Sequence, residues 1–150
     1  MEKRFGSWIL AWLLILFSLI GLGSMVYVAV GPTNVCSIYT SIFNCNKVLT
    51  SPYSIYLGIK IYVYGIIFFS LQFVLAALYA LKLKKRIKSA ALYSILGLSA
   101  LGSIAAVYLI YLEFFVVGAV CLFCTIGHVS IFMLLLISAV EFANYRKRRH

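Results

Sequence analysis

The sequence predicts an all-α membrane protein, a four-transmembrane-helix bundle with an exoplasmic loop and a short helix carrying two cysteines. Three observations predict it. Apolar residues make up 65% of the 150-residue chain, and its mean hydropathy is +1.09, against roughly 45–50% apolar in a soluble domain. A soluble chain of this length has too little interior to hide that much apolar surface. Four uncharged or nearly uncharged runs each exceed the roughly 20 residues needed to cross the hydrocarbon core. Basic residues cluster at alternate junctions between those runs, as in a chain that weaves through a bilayer. One integral membrane domain over residues 1–150 is the expectation.

The first span runs from about Ser7 to Val30 and holds no charge. Met1-Glu2-Lys3-Arg4 gives it a basic start, but the run is too long for a signal-peptide core and no clean small-residue cleavage site follows. It reads as a retained helix. The polar segment from Gly31 to Ser54 follows, with Cys36 and Cys45 in it. Within it, Thr50-Ser51-Pro52 is a helix-start signal, because Ser or Thr can cap and Pro suits the first turn. A short re-entrant helix or the top of the second span would begin there. From physics alone, capping is the favoured role for Ser51; a hydroxyl aimed at a buried ligand is the alternative.

The second span runs from about Ile55 to Leu81, with Lys60 near its start. Tyr39, Tyr53, Tyr56, Tyr62 and Tyr64 crowd its outer boundary. An interfacial aromatic belt explains most of them, and such rings also suit a pocket for a flat quinone. The third span, about Ser89 to Leu112, carries Gly97, Ser99, Gly102 and Ser103, small residues that let helices approach closely. A turn near Glu113 to Val120 leads into the fourth span, about Val116 to Val140, where His128 is the only ionisable side chain apart from cysteine.

The net charge of +10 does not indicate nucleic-acid binding. Lys3, Arg4, Lys82, Lys84, Lys85, Arg86, Lys88, Arg146, Lys147, Arg148 and Arg149, 11 of the 13 basic residues, fall on one side of the weave, leaving Lys47 and Lys60 on the other. The positive-inside rule puts both termini and the central loop in the cytoplasm, and the basic side faces anionic membrane lipid. All four cysteines then lie at the exoplasmic face, where disulfides persist.

Cys121-Leu122-Phe123-Cys124 opens an apolar helix. Positions i and i+3 bring two sulfurs within bonding reach, so the pair can cycle between dithiol and disulfide. The helix N-terminus stabilises a thiolate, more so on Cys121 than on Cys124, which lies one turn deeper and nearer a cofactor dissolved in the bilayer. Two plainer readings compete. A structural disulfide suits Cys36 and Cys45, as a staple on an external loop, but a helix start needs no staple. A four-thiolate zinc site suits the C-x-x-C half, but not the wide spacing of the other pair.

These residues resemble the vitamin K epoxide reductase (VKOR) family. Asn44-Cys45-Asn46-Lys47-Val48, then Ser51-Pro52-Tyr53-Ser54 and Gly58-Ile59, look like the prokaryotic signature N-C-x-x-V-x-x-S-x-Y-S-x-x-x-G-I-P. The stretch from Tyr64 to Gln72 resembles the start of a helix in the animal enzymes, and the C-x-x-C completes the set. The resemblance implies a four-helix bundle around a quinone (ubiquinone, menaquinone or similar), with Cys121 and Cys124 as the active-site pair and Cys36 and Cys45 as the shuttle pair. It puts Ser51 on the family's functional serine and makes Ser51, Tyr64, Phe68 and His128 the candidate quinone contacts. No fused thioredoxin-like domain accompanies the chain, so a separate thioredoxin-like (DsbA-like) partner is expected. Three positions depart from the pattern: Lys60 replaces a prokaryotic Pro, while Ile61 and His128 replace the Asn and Tyr that hold the vitamin K ring in animals.

The expected activity is membrane thiol–disulfide oxidation, which passes electrons from that partner through both cysteine pairs to a quinone and promotes disulfide formation in exported proteins. Reduction of vitamin K quinone or its epoxide is the enzymatic alternative. The DsbB family does a convergent job with the two cysteine motifs in reverse order. A membrane scaffold with structural disulfides is the non-enzymatic alternative.

Overall fold

The structure, a computed structural model, describes residues 2–31, 44–81 and 84–147. Cys36, Tyr39, Lys82, Arg148 and Arg149 lie outside the described residues. Among the described residues, four helices are long and apolar enough to cross a membrane, at Trp8–Val30, Ile61–Ala80, Lys85–Val117 and Leu122–Lys147. The chain is a multi-pass membrane protein.

Helix α1 (Glu2–Val30) leads to the short α2 (Cys45–Thr50), a 3₁₀ turn at Pro52–Ser54 and a two-stranded hairpin, β1 (Ile55–Tyr56) and β2 (Ile59–Lys60). Then come α3 (Ile61–Ala80), α4 (Lys85–Tyr111) with a π-helical turn at Leu112–Val117, and α5 (Leu122–Lys147). Helix α1 packs on α3 and α5, and α4 closes the ring by packing on the same two.

The second span starts at Ile61, later than Ile55, for a local reason. Ile55 pairs with Lys60 and Tyr56 with Ile59, so Leu57 and Gly58 form a two-residue turn with φ of +52° and +79°. Positive φ at both turn positions matches the twist of a hairpin. Ile55, Tyr56, Leu57 and Ile59 are all exposed, so their apolar character belongs to the hairpin surface and not to the span. The fourth span starts at Leu122 instead of Val116 because Gly118, at φ +61°, ends the preceding helix in the left-handed conformation. Glu113, expected in a turn, sits in the π-helical end of the third span.

The core is a column of Leu14, Phe69, Leu92, Ile95 and Leu134, all fully buried. Lipid tails are as apolar as these side chains, so packing shape and interhelical hydrogen bonds hold the helices together. Gln72 on α3 donates through Nε2 to Ser99 Oγ on α4 at 2.8 Å. At the far end, the Tyr79 hydroxyl donates to Glu141 Oε1 at 2.6 Å, joining α3 to α5. Each such bond is worth about 0.6–2 kcal/mol in a membrane.

Glycines set the closest approaches. A Cβ at Gly21 would run into the Phe69 ring, whereas one at Gly23 meets nothing within 4 Å. Phe69 is 0% exposed and has nowhere to go. Gly21→Ala is therefore expected to cost about 1–3 kcal/mol by overpacking, and Gly23→Ala close to nothing. Thermal unfolding of both variants in detergent, followed by circular dichroism, checks the contrast.

Candidate functional site

The described cysteines meet at one end of the bundle. Helix α2 begins at Cys45 because Asn44 caps it, Oδ1 accepting the Lys47 N–H at 3.0 Å. The backbone N–H of the same Asn44 donates to the Val120 carbonyl at 3.2 Å. One residue thus starts the short helix and ties it to the chain just ahead of Cys121. The result is direct packing: Cys45 and Cys121 are 2% and 0% exposed and share a buried cluster with Val28, Val48, Leu49, Phe123 and Cys124. Cys45 is held in a disulfide, while Cys121 and Cys124 are free thiols.

Cys121 acts as the cap of α5. Its carbonyl accepts the Thr125 N–H and the Thr125 hydroxyl, each at 2.9 Å. Its sulfur accepts the Cys124 N–H at 3.4 Å. A hydrogen bond from the Cys124 thiol holds the Cys121 thiol below its ordinary value, against the opposing effects of burial and of Glu113. The ring of Phe123, inside the C-x-x-C, lies 4.3 Å from that of Tyr27 at the end of α1, which steadies the turn from the outside.

Beside the cysteines, α2, the 3₁₀ turn, α3 and α4 enclose an apolar cavity. Met25, Leu49, Ile61, Leu109, Leu112 and Val117 form most of its wall, and Ser51, Tyr53, Ser54, Lys60, Tyr62, Glu113 and Cys124 bring polar atoms or sulfur to it. Ser51 terminates α2 and its hydroxyl donates to the Val48 carbonyl at 2.8 Å. It caps the helix end and faces the cavity at once. A mostly apolar wall with a few hydroxyls, one ammonium, one carboxyl and one thiol suits a planar ring carrying carbonyl oxygens.

The cavity brings Ser51 together with Cys124, and leaves the other candidate ring contacts elsewhere. Tyr64 donates its hydroxyl to the Tyr56 carbonyl at 3.1 Å and does not line the cavity. Phe68 packs against Phe69, ring centroids 5.3 Å apart, and faces Gly102. His128 is buried and lines a second cavity, with Glu113, Phe114, Thr125 and Phe132. Cys36 lies outside the described residues. Among the described residues, no group of three or more His, Cys, Asp and Glu side chains is placed to hold a metal ion.

Sequence reasoning passed over Glu113, which lines both cavities. Its carboxylate accepts the backbone N–H of Cys121. The signal was present, since an acidic side chain inside a span is costly and is by default a functional group. Of the boundary tyrosines, read from the sequence as a belt with some suited to a pocket, Tyr53 and Tyr62 line the first cavity.

A family model described as Vitamin K epoxide reductase family matches residues 12–139 of this chain. No curated protein matches it.

Proposed function

The chain belongs to the vitamin K epoxide reductase family, whose members are membrane oxidoreductases, and on that premise we propose that it oxidises the thiols of a separate thioredoxin-like partner and delivers the electrons to a quinone. The observation that carries this reading is the shared burial of Cys45 and Cys121 beside Cys124, a free thiol on an apolar cavity. Cys45 and Cys121, packed in one cluster, are placed to exchange, and Cys124 opens onto a site for a flat acceptor.

The steps balance in sulfur bonds, electrons and protons. A partner thiolate attacks the Cys36–Cys45 disulfide at Cys36 and its second thiol completes the exchange, leaving the partner oxidised and the loop pair reduced. Cys45 then attacks Cys121 in the Cys121–Cys124 disulfide, freeing Cys124. Cys36 resolves the Cys45–Cys121 bond, which restores the loop disulfide and leaves a C-x-x-C dithiol. The described state, with Cys45 in a disulfide and Cys121 and Cys124 free, corresponds to this last stage. A bound quinone supplies a two-electron, two-proton sink. Cys124 stands next to it, Ser51 and Tyr62 are the groups that would orient it, and the apolar wall keeps water out. Ile61 lines the same cavity and brings no hydrogen-bond donor where the animal enzymes carry Asn, so a plain quinone is proposed over vitamin K epoxide.

The charge distribution supports cytoplasmic termini, with the cysteines on the exoplasmic side of a cell membrane. Disulfide formation in exported proteins would follow from that placement.

The test is reconstitution. Full-length protein in liposomes containing ubiquinone or menaquinone is mixed with a reduced thioredoxin-like protein from outside. One quinol should form per partner disulfide. Partner oxidation without quinol, or quinol formation that survives Cys45→Ala, contradicts the relay, and efficient turnover of vitamin K epoxide contradicts the choice of substrate.

A further inference from the structure

Glu113 has no part in the sulfur exchange, yet its position asks for an explanation. The chain has 3 acidic residues, and Glu141 bonds to Tyr79 at the opposite end of the bundle. Glu113 alone among the described acidic side chains stands beside the cysteines. It is 6% exposed, sits on a π-helical turn and accepts the Cys121 N–H. A π turn inside a helix is often found at a functional site. The hydrogen bond to Cys121 does not by itself require an acid, because a Gln side chain would accept the same N–H. What an acid adds is the ability to hold and release a proton.

The dithiol needs such a group. Closing Cys121 and Cys124 into a disulfide releases two electrons and two protons. Cys121 is completely shielded from water, and Cys124 is half-buried against the cavity wall. Glu113 is in contact with the Cys121 backbone, lines the cavity that Cys124 opens onto, and also lines the cavity that holds His128.

We propose that Glu113 is the proton carrier of the C-x-x-C pair: it takes up a proton that leaves the thiols as the disulfide closes and passes it to the acceptor of the two electrons. This rests on the quinone-linked reading above. Overall, the two thiols lose two electrons and two protons and the quinone gains both. Other titratable groups facing the same space are Lys60, Tyr53, Tyr62 and Cys124 in the first cavity and His128 in the second.

Two measurements on the full chain in lipid nanodiscs test it. The first uses no quinone. The pair is oxidised by a small chemical disulfide, and the oxidised-minus-reduced infrared difference spectrum is recorded. A carboxyl C=O band should appear, vanish in Glu113→Gln and persist in Glu141→Gln. The second follows quinol formation against pH. Glu113→Gln keeps the Cys121 hydrogen bond but should slow quinol formation about a hundredfold, the scale of one lost proton-transfer group, and change the pH profile. Glu113→Asp should recover part of the rate. Absence of the carboxyl band, or a Glu113→Gln chain with the rate and pH profile of the parent, overturns the proposal. A parent chain that forms no quinol overturns the quinone-linked reading instead, and the infrared measurement still decides the role of Glu113.

Discussion

A chain carrying Cys36→Ala and Cys124→Ala together is expected to close Cys45 onto Cys121 when oxidised, and to form no quinol. The reason lies in the Asn44–Val120 hydrogen bond, which docks the first turn of α2 onto the residue before Cys121. Both sulfurs are buried in one cluster, so removing their usual partners leaves each with the other as nearest thiol. A disulfide needs Cα atoms within about 7 Å and Cβ vectors that converge, and packed neighbours meet that demand with small shifts of the short helix. Non-reducing peptide mapping should find one Cys45–Cys121 link in nearly every molecule. Turnover should fall to background, because neither the loop pair nor the C-x-x-C can cycle. If both thiols instead remain open to alkylation after the oxidant, Cys45 and Cys121 do not exchange and the relay order is wrong. Cys36→Ala with Cys121→Ala is the companion variant. It leaves Cys45 facing Cys124, and a weaker yield there would assign the exchange to Cys121.

Much of the bundle is legible in the sequence because lipid imposes a simple rule. Every backbone polar group in the hydrocarbon must be satisfied within the chain, so long apolar runs become helices. Their number and approximate places follow from counting. The C-x-x-C is equally legible, since helix geometry alone brings residues three apart together. The orientation of each helix about its own axis is not legible. Helices α3 and α5 are apolar on nearly every side, and no stripe tells which face turns inward. Tyr64 and Phe68 lie on a helix start that resembles the family pattern, yet Tyr64 turns toward the hairpin and Phe68 toward Gly102. His128 stands on the α5 face that lines the second cavity.

The boundaries near the cysteines escaped for a different reason. Hydropathy counts Ile55, Leu57 and Ile59 as part of a span, but Leu57 and Gly58 turn the chain back on itself. A sum over a window cannot register a two-residue turn. Glu113 escaped because it was read as polar punctuation between two spans. The π turn keeps it inside the helix, and the hydrogen bond from Cys121 then brings the next cysteine to it. Ser51 is the case where both readings of one residue hold in the same geometry. It caps the end of α2 and lines the cavity with Cys124, since the end of that helix forms part of the cavity wall.

Cys121 is expected to titrate below an ordinary thiol, and Cys124→Ala to raise it again while Cys124→Ser does not. The first cause of the lowered value is the hydrogen bond that the Cys124 thiol donates to Cys121. Alanine removes that donor. Serine replaces it with a hydroxyl, a stronger donor to a thiolate. Burial and Glu113 act in the opposite sense, so without the donor the thiol rises toward or past its usual value of about 8.5. The sign of the pH effect follows. A lowered value keeps Cys121 ionised at pH values where an ordinary thiol is protonated, and the thiolate is lost as pH falls through that value. At any fixed pH below both values, each unit of rise in the Cys124→Ala chain cuts the thiolate fraction about tenfold, and makes Cys121 a poorer leaving sulfur when Cys36 resolves the Cys45–Cys121 bond. The measurement is the ultraviolet absorbance of the thiolate against pH, taken as a difference from a Cys121→Ser chain so that the tyrosines cancel. It uses reduced protein without quinone or partner, and does not depend on access of a reagent to a sulfur that is 0% exposed. A midpoint at or above that of a free thiol in the parent chain, or no difference between the Ala and Ser variants, would show that the Cys124 donor does not poise Cys121.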